Sequence, residues 1–190
     1  MDKCGTLYLN AGAGPPDSAS ALGIPRDASL AIISGAQAGV DRGALDAALE
    51  ANVPCGGWVP AGRKAEDGPV PSHYPIRELE GGYRQRTRQN VLDSDGTVLI
   101  YFGEFTGGTR LTLRFCLSKD KPFLLLDATE MTTHRAAQRV RKFVAQHAVR
   151  CLNVAGPRES GSPGAHAYSY AVVRAALSLD GPKQAIERHE

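Results

Sequence analysis

The chain has 190 residues, of which 42% are hydrophobic and 22% charged, with a formal net charge of +2. That composition suits one globular domain with a full core and excludes a disordered chain. The charge is too weakly basic to point to nucleic acid, and no apolar run approaches the roughly 20 residues of a membrane-spanning helix.

Residues 1–28 are rich in Gly, Ala, Pro and Ser and read as a leader with little regular structure, in which Thr6–Leu9 could add a short edge strand. Residues 29–182 read as one domain and 183–190 as a polar tail. The first strand is Leu30–Ile33. A helix follows with Val40, Ala44, Leu45, Ala48 and Leu49 on one face. A second strand lies near Val53–Val59, and a long loop runs from Pro60 to about Glu80; loops of that length in a compact domain are functional or mobile. A polar, Arg-rich helix spans Tyr83–Leu92, and Thr97–Phe102 is the third strand. A mostly apolar helix reaches Ser118, and Pro122 opens a fourth strand, Phe123–Leu126. The next helix places Ala136, Val140, Phe143, Val144 and His147 in register, so His147 is expected to be packed. Cys151–Val154 is the fifth strand, and the last helix runs over Ala165–Leu179. Alternating short apolar runs and helical periods predict an α/β three-layer sandwich with a mainly parallel sheet of about five or more strands.

Cys4, Cys55, Cys116 and Cys151 have no C-x-x-C or zinc spacing and sit singly in apolar stretches, as small buried hydrophobes do. With no charged-then-apolar leader before them, they predict a reducing, cytoplasmic location. His73, His134, His147, His166 and His189 show no metal spacing, so no metal site ligated by the protein is predicted. Trp58, the only tryptophan, could stack on a base or serve the core. Gly12-Ala13-Gly14 imitates a dinucleotide fingerprint, but Pro15 and Pro16 prevent a helix from starting there. No P-loop motif is present.

Three strand-to-helix turns share one character. They are Ser34-Gly35-Ala36-Gln37-Ala38-Gly39-Val40-Asp41, Phe102-Gly103-Glu104-Phe105-Thr106-Gly107-Gly108-Thr109, and Ala155-Gly156-Pro157-Arg158-Glu159-Ser160. In an open parallel sheet such turns gather at the carboxyl edge, where ligands bind. Glycine allows close backbone approach, and a helix N-terminus offers N–H groups and a favourable dipole to an anion. Thr106 and Thr109 add hydroxyls, and Arg158 adds a forked donor. On the polar helix, Arg84 and Arg88 share one face, and Arg86 and Asn90 another. One of these faces is expected either to line the anion site or to be solvated.

Together with Arg42, Cys55-Gly56-Gly57-Trp58, Gly62–Gly68, Tyr83–Thr87 and Asp93–Thr97, these turns resemble the putative molybdenum carrier family, a circularly permuted branch of the SLOG superfamily of Rossmann-like nucleotide-binding proteins. The likeness runs from about Ala31 to Leu179. It implies a Rossmann-like fold, self-association into a homo-oligomer, and a phosphorylated nucleotide or the molybdenum cofactor, a pterin with a phosphate tail, as ligand. The candidate binding residues are Gly35, Gln37, Gly39, Asp41, Arg42, Arg86, Thr106, Gly107, Gly108, Thr109, Gly156, Arg158, Glu159 and Ser160. The family usually has Gly and Thr where this chain has Ala36 and Ala38. Superfamily relatives that hydrolyse nucleoside monophosphates carry a glutamate soon after their paired glycines. Here Arg110-Leu111-Thr112-Leu113-Arg114 follows Thr109, and Asp41 or Glu104 could act only from a different geometry. A carrier or binding protein is therefore preferred, with a hydrolase and a nucleotide-sensing module as alternatives.

Overall fold

A computed structural model describes residues 22–24, 30–105 and 107–178. The expected edge strand Thr6–Leu9, the Gly12-Ala13-Gly14 segment, Cys4, Thr106 and the polar tail lie outside the described residues.

The main sheet contains β1 (Ala31–Ile33), β2 (Cys55–Gly56), β7 (Gly96–Tyr101), β8 (Phe123–Asp127) and β9 (Cys151–Ala155). They run in the order β2-β1-β9-β7-β8, and every pairing is parallel. The helices are α1 (Val40–Glu50), α2 (Tyr83–Leu92), α3 (Gly107–Ser118), α4 (Thr133–Gln146) and α5 (Ala165–Leu177). A parallel crossover is right-handed, so helices that follow moves in opposite directions along the sheet end on opposite faces. Alternation within the strands agrees. Ile32, Val98, Ile100, Leu126, Leu152 and Val154 pack with residues of α1, α4 and α5. Leu99 turns the other way, onto Val91 of α2 and Phe115 and Cys116 of α3. Ala31, Ile33 and Cys151 meet Leu22, Ile24 and Trp58 on that second side. Each fully buried Ile, Leu or Val contributes roughly 1.5–3 kcal/mol. The fold is therefore the expected Rossmann-like three-layer sandwich. Its chain enters at β1 and reaches the central β9 last, and the direction of travel reverses beside β9.

Local chemistry sets several boundaries. Thr132 caps α4 by accepting from Arg135 N at 3.4 Å. Left-handed residues follow α1 (Asn52, φ 52°), α3 (Asp120, φ 50°) and α4 (Ala148, φ 49°) and stop those helices. His147 is the C-cap of α4 and is exposed, its ring 4.9 Å from that of Phe143. The expectation that it is packed fails because the helical stripe ends one residue earlier. Trp58 serves the core, with Nε1 donating to Asp93 Oδ2 at 2.7 Å.

The predicted second strand is broken in two. After β2 the backbone leaves the sheet at Gly57 (φ 139°), where a Cβ would overlap Ser34 O, and β3 (Trp58–Pro60) pairs instead with β6 (Arg77–Leu79). The expected long loop thus has structure of its own, including a hairpin of β4 (Lys64–Ala65) and β5 (Gly68–Pro69). Val70, Tyr74 and Ile76 form a small core with Ala36, Leu45 and Val59. Arg63 pins the return by donating to Val70 O and Pro71 O at 2.8 and 2.7 Å. No described helix is long and apolar enough to cross a membrane.

Candidate functional site

The three glycine turns follow β1, β9 and β7, which are successive strands in the sheet. Neighbouring strands lie about 4.8 Å apart, so the turns share one edge roughly 10 Å across. The first and third turns are joined directly. Val40 N donates to Pro157 O and Glu159 N donates to Ala38 O, both at 3.2 Å. Gly39 makes this approach possible. Its φ is 97°, and a Cβ there would stand 2.5 Å from Glu159 N and 2.6 Å from Pro157 O. Gly156 has a packing role as well, since its Cβ would stand 2.6 Å from Val40 Cγ2 and 2.7 Å from Ile100 O.

The polar centre lies at the first turn. Asp41 is 4% exposed, and its Oδ2 accepts from Gln37 N and from Arg86 Nη1, each at 3.4 Å. Burial pushes the Asp41 carboxyl above the ordinary carboxylate range, against the opposing pull of Arg86 and of the Gln37 and Gly156 amides. The Arg86 guanidinium lies against Gly35, where a Cβ would overlap it. Among the described residues Arg86 Nε is buried without a hydrogen-bond partner, and so is Gln37 Oε1, although Gln37 Nε2 donates to Lys64 O at 2.9 Å. Unpaired buried polar atoms are costly and cluster where a ligand completes them.

The helix N-termini differ from the sequence expectation. The first amides of α1 are used internally, with Val40 N on Pro157 O and Arg42 N on Gln37 O, and Asp41 supplies the carboxylate that the dipole favours. At α5, Glu159 accepts from Gly164 N at 2.6 Å and from His166 N at 2.8 Å, and these two bonds hold its carboxyl below the usual range. Glu159 is thus a helix cap. Among the described residues nothing covers the N-terminus of α3. A Cβ at Gly103, Gly107 or Gly108 would meet nothing within 4 Å, and Gly107 has φ 46°. Thr109 is buried there. Among the described residues no hydrogen bond or ion pair joins Gly107, Gly108 or Thr109 to the other two turns.

The rim is charged. Arg42 donates through Nε to Ala36 O at 3.2 Å and through its terminal nitrogens to both oxygens of Asp67. Arg158 is 43% exposed, lies 5.1 Å from the Tyr83 ring centroid, and reaches Glu66 at 3.9 Å. Ser160 bonds Glu66 through its amide and hydroxyl, at 3.3 and 2.5 Å. On α2 the Arg86 and Asn90 face is the inward one. Asn90 pairs with the backbone of Trp58, while Arg84 lies over Phe115 and Arg88 is exposed. The mixed-charge run Gly62–Gly68 reads in the sequence as a segment that could close over this edge, and Glu66 and Asp67 do reach its rim; their individual partners, and Tyr83 at the rim, had no sequence signal. Sequence reasoning also missed Asp46, which accepts from Tyr74 OH and faces His166 Nε2, both at 2.7 Å, and so ties α1 to the loop and to α5.

Ala36 takes the left-handed φ of 53° that glycine would hold more cheaply, with its methyl fully buried against Leu45 and Val59. The turn keeps its geometry with alanine there.

These features have a counterpart among known proteins. A crystal structure of a putative molybdenum carrier protein from Syntrophus aciditrophicus SB is similar to this chain at 39% sequence identity, with a TM-score of 0.77, covering 80% of this chain and 97% of that one. No curated protein matches the chain. The model of the circularly permutated YpsA SLOG family matches residues 32–177. The strand order is what such a permutation requires, because a chain read from β9 would run outward through β1 and β2 on one side and β7 and β8 on the other. The chain belongs to the circularly permutated YpsA SLOG family.

Proposed function

We propose that this protein binds a phosphate-bearing, nucleotide-like ligand across the carboxyl edge of β1, β9 and β7. One observation carries the reading: around Asp41, the Arg86 guanidinium is seated against Gly35 with a buried Nε–H, and the Gln37 side chain in the same turn has a buried Oε1, neither atom having a hydrogen-bond partner among the described residues. A donor with fixed charge and an acceptor at one turn suit a ligand that has both an anion and a heterocycle edge. The N-terminus of α3 at Gly107 and Gly108, uncovered among the described residues, would take the phosphate. The molybdenum cofactor, a pterin with a phosphate tail, fits the same donor set as cargo, and the carrier label of the Syntrophus protein supports that choice of ligand. In this reading the cargo is gripped through its phosphate tail and heterocycle edge.

Holding the ligand is preferred over hydrolysing it. The first turns of α3 carry no carboxylate, and Asp41 is engaged by Arg86 and Gln37. The test is native purification followed by mass spectrometry of released small molecules and metal analysis. A pterin with molybdenum is the result expected of a carrier, and a nucleotide without metal indicates a sensor or enzyme. Free base released on incubation with nucleoside monophosphates would overturn the pure binding role.

A further inference from the structure

The third turn already holds an anion, and it is the protein's own. Glu66, in the β4–β5 hairpin, places Oε1 3.3 Å from Ser160 N and Oε2 2.5 Å from Ser160 Oγ, with Arg158 Nη1 at 3.9 Å. A backbone amide, a hydroxyl and a guanidinium converging on two oxygens form a donor set that also suits a phosphate. The hairpin that delivers Glu66 is lightly attached. Its strands have two residues each and are largely exposed; Ala65 is its one apolar contact with the small core, whose buried members Val70, Tyr74 and Ile76 lie behind it. Its polar ties run to Arg42 through Asp67 and to Gln37 through Lys64 O. Gln37, only 3% exposed, keeps an unpartnered carbonyl at this junction, so the closed arrangement leaves the polar centre incompletely satisfied.

We propose that Glu66 is an internal stand-in for the ligand's phosphate, and that a phosphate group displaces it from Ser160 and Arg158 on binding. The inference rests on the phosphate-ligand reading above and adds how the site selects. A phosphate ester brings about −1.5 to −2 charges and three acceptor oxygens against one carboxylate. It can outcompete Glu66, whereas an unphosphorylated nucleoside or pterin cannot. Glu66 thereby becomes a specificity-determining residue, and the hairpin moves only when the correct group arrives.

The experiment is calorimetric titration with inorganic pyrophosphate, which presents phosphate without a base. Glu66→Gln preserves shape and removes the competing charge. Its pyrophosphate affinity is expected to rise about tenfold over wild type, the scale of one charge-assisted hydrogen bond. In the Glu66→Gln, Arg158→Ala double variant that gain is expected to disappear. Hydrogen exchange of the 62–68 amides in the wild type should accelerate on saturation with pyrophosphate. Wild-type binding with no gain in Glu66→Gln overturns the stand-in while leaving the phosphate-ligand reading intact, and so does a gain that survives loss of Arg158. If neither wild type nor folded Glu66→Gln binds pyrophosphate, both readings fall.

Discussion

Gly35 and Gly39 stand four residues apart in one turn, yet alanine at each should fail in different ways. At Gly35 the added methyl would overlap the Arg86 guanidinium and stand 2.8 Å from Asp41 Oδ2. These are side-chain ends, and Gly35 has no positive φ. The fold should accommodate the methyl by evicting Arg86 from the turn, at an overpacking cost of about 1–2 kcal/mol. That corresponds to a fall in melting temperature of roughly 2–8 °C for a domain of this size. Phosphate-ligand affinity should fall much further, by about 10- to 100-fold, because hydrogen bonds to a charged group are worth about 1.5–3 kcal/mol. At Gly39 the methyl would meet fixed backbone, with Glu159 N at 2.5 Å, Pro157 O at 2.6 Å and Arg158 C at 2.8 Å, at a φ of 97°. Strain and overlap together should cost about 3 kcal/mol or more and lower the melting temperature by roughly 6 °C or more. Thermal melts and calorimetric titration with pyrophosphate separate the two. A Gly35→Ala variant that binds as wild type would refute the seating of Arg86 on Gly35 as the basis of the site. A Gly39→Ala variant that melts with wild type would refute the backbone junction of the first and third turns.

Further predictions concern charge. Burial raises the Asp41 pKa, so the folded state binds the proton more tightly than the unfolded state, and Asp41's contribution to stability is present below about pH 4 and lost as pH rises through its folded value. The stability of Asp41→Asn relative to wild type should therefore increase from about pH 4 to pH 7 in denaturant melts; a flat or falling difference would contradict the assignment. Glu159 behaves oppositely, since the His166 and Gly164 amides lower its pKa. Glu159→Ala should cost about 1 kcal/mol at neutral pH, as loss of a cap does, and the cost should shrink as pH falls below the ordinary glutamate value and through the lowered folded one; circular dichroism melts across that acid range check this, and a cost that does not shrink would contradict it. Arg158→Ala, at an exposed ion pair, should change stability by less than about 0.5 kcal/mol yet weaken pyrophosphate binding several-fold in calorimetry. Unchanged affinity would remove the third turn from the site.

Much of this arrangement was legible in the sequence because its parts are local. The strand-then-glycine pattern at Ser34-Gly35 and Ala155-Gly156 marks two turns, and the rule that parallel strands end on one edge brings them together. The i, i+4 spacing pairs Arg86 with Asn90 but cannot say that this face, rather than that of Arg84 and Arg88, turns inward; packing of α2 against β3 decides it. Contacts distant in sequence were out of reach. Glu66 and Ser160 are separated by 94 positions, and a charged loop has no periodicity to give it a partner. The break at Gly57 was not placed either, because Gly56-Gly57 inside the stretch from Val53 to Val59 does not by itself say that the chain leaves the sheet, while the close approach of Ser34 O exists only in the folded chain. The α1 N-terminus was expected to offer its amides to a ligand, but Pro157 O and Gln37 O take them, so the proposed anion site rests on side chains and on α3.

The most direct test is a nitrogen–proton NMR titration that follows the Arg86 Nε–H together with the Gly35 and Gly107 amides as adenosine 5′-monophosphate or pyrophosphate is added. The buried, unpartnered Nε–H should shift downfield and become protected from exchange as it gains an acceptor, in step with the two glycine amides. Binding that leaves the Arg86 Nε–H unmoved, or the absence of binding by either compound, would contradict the account.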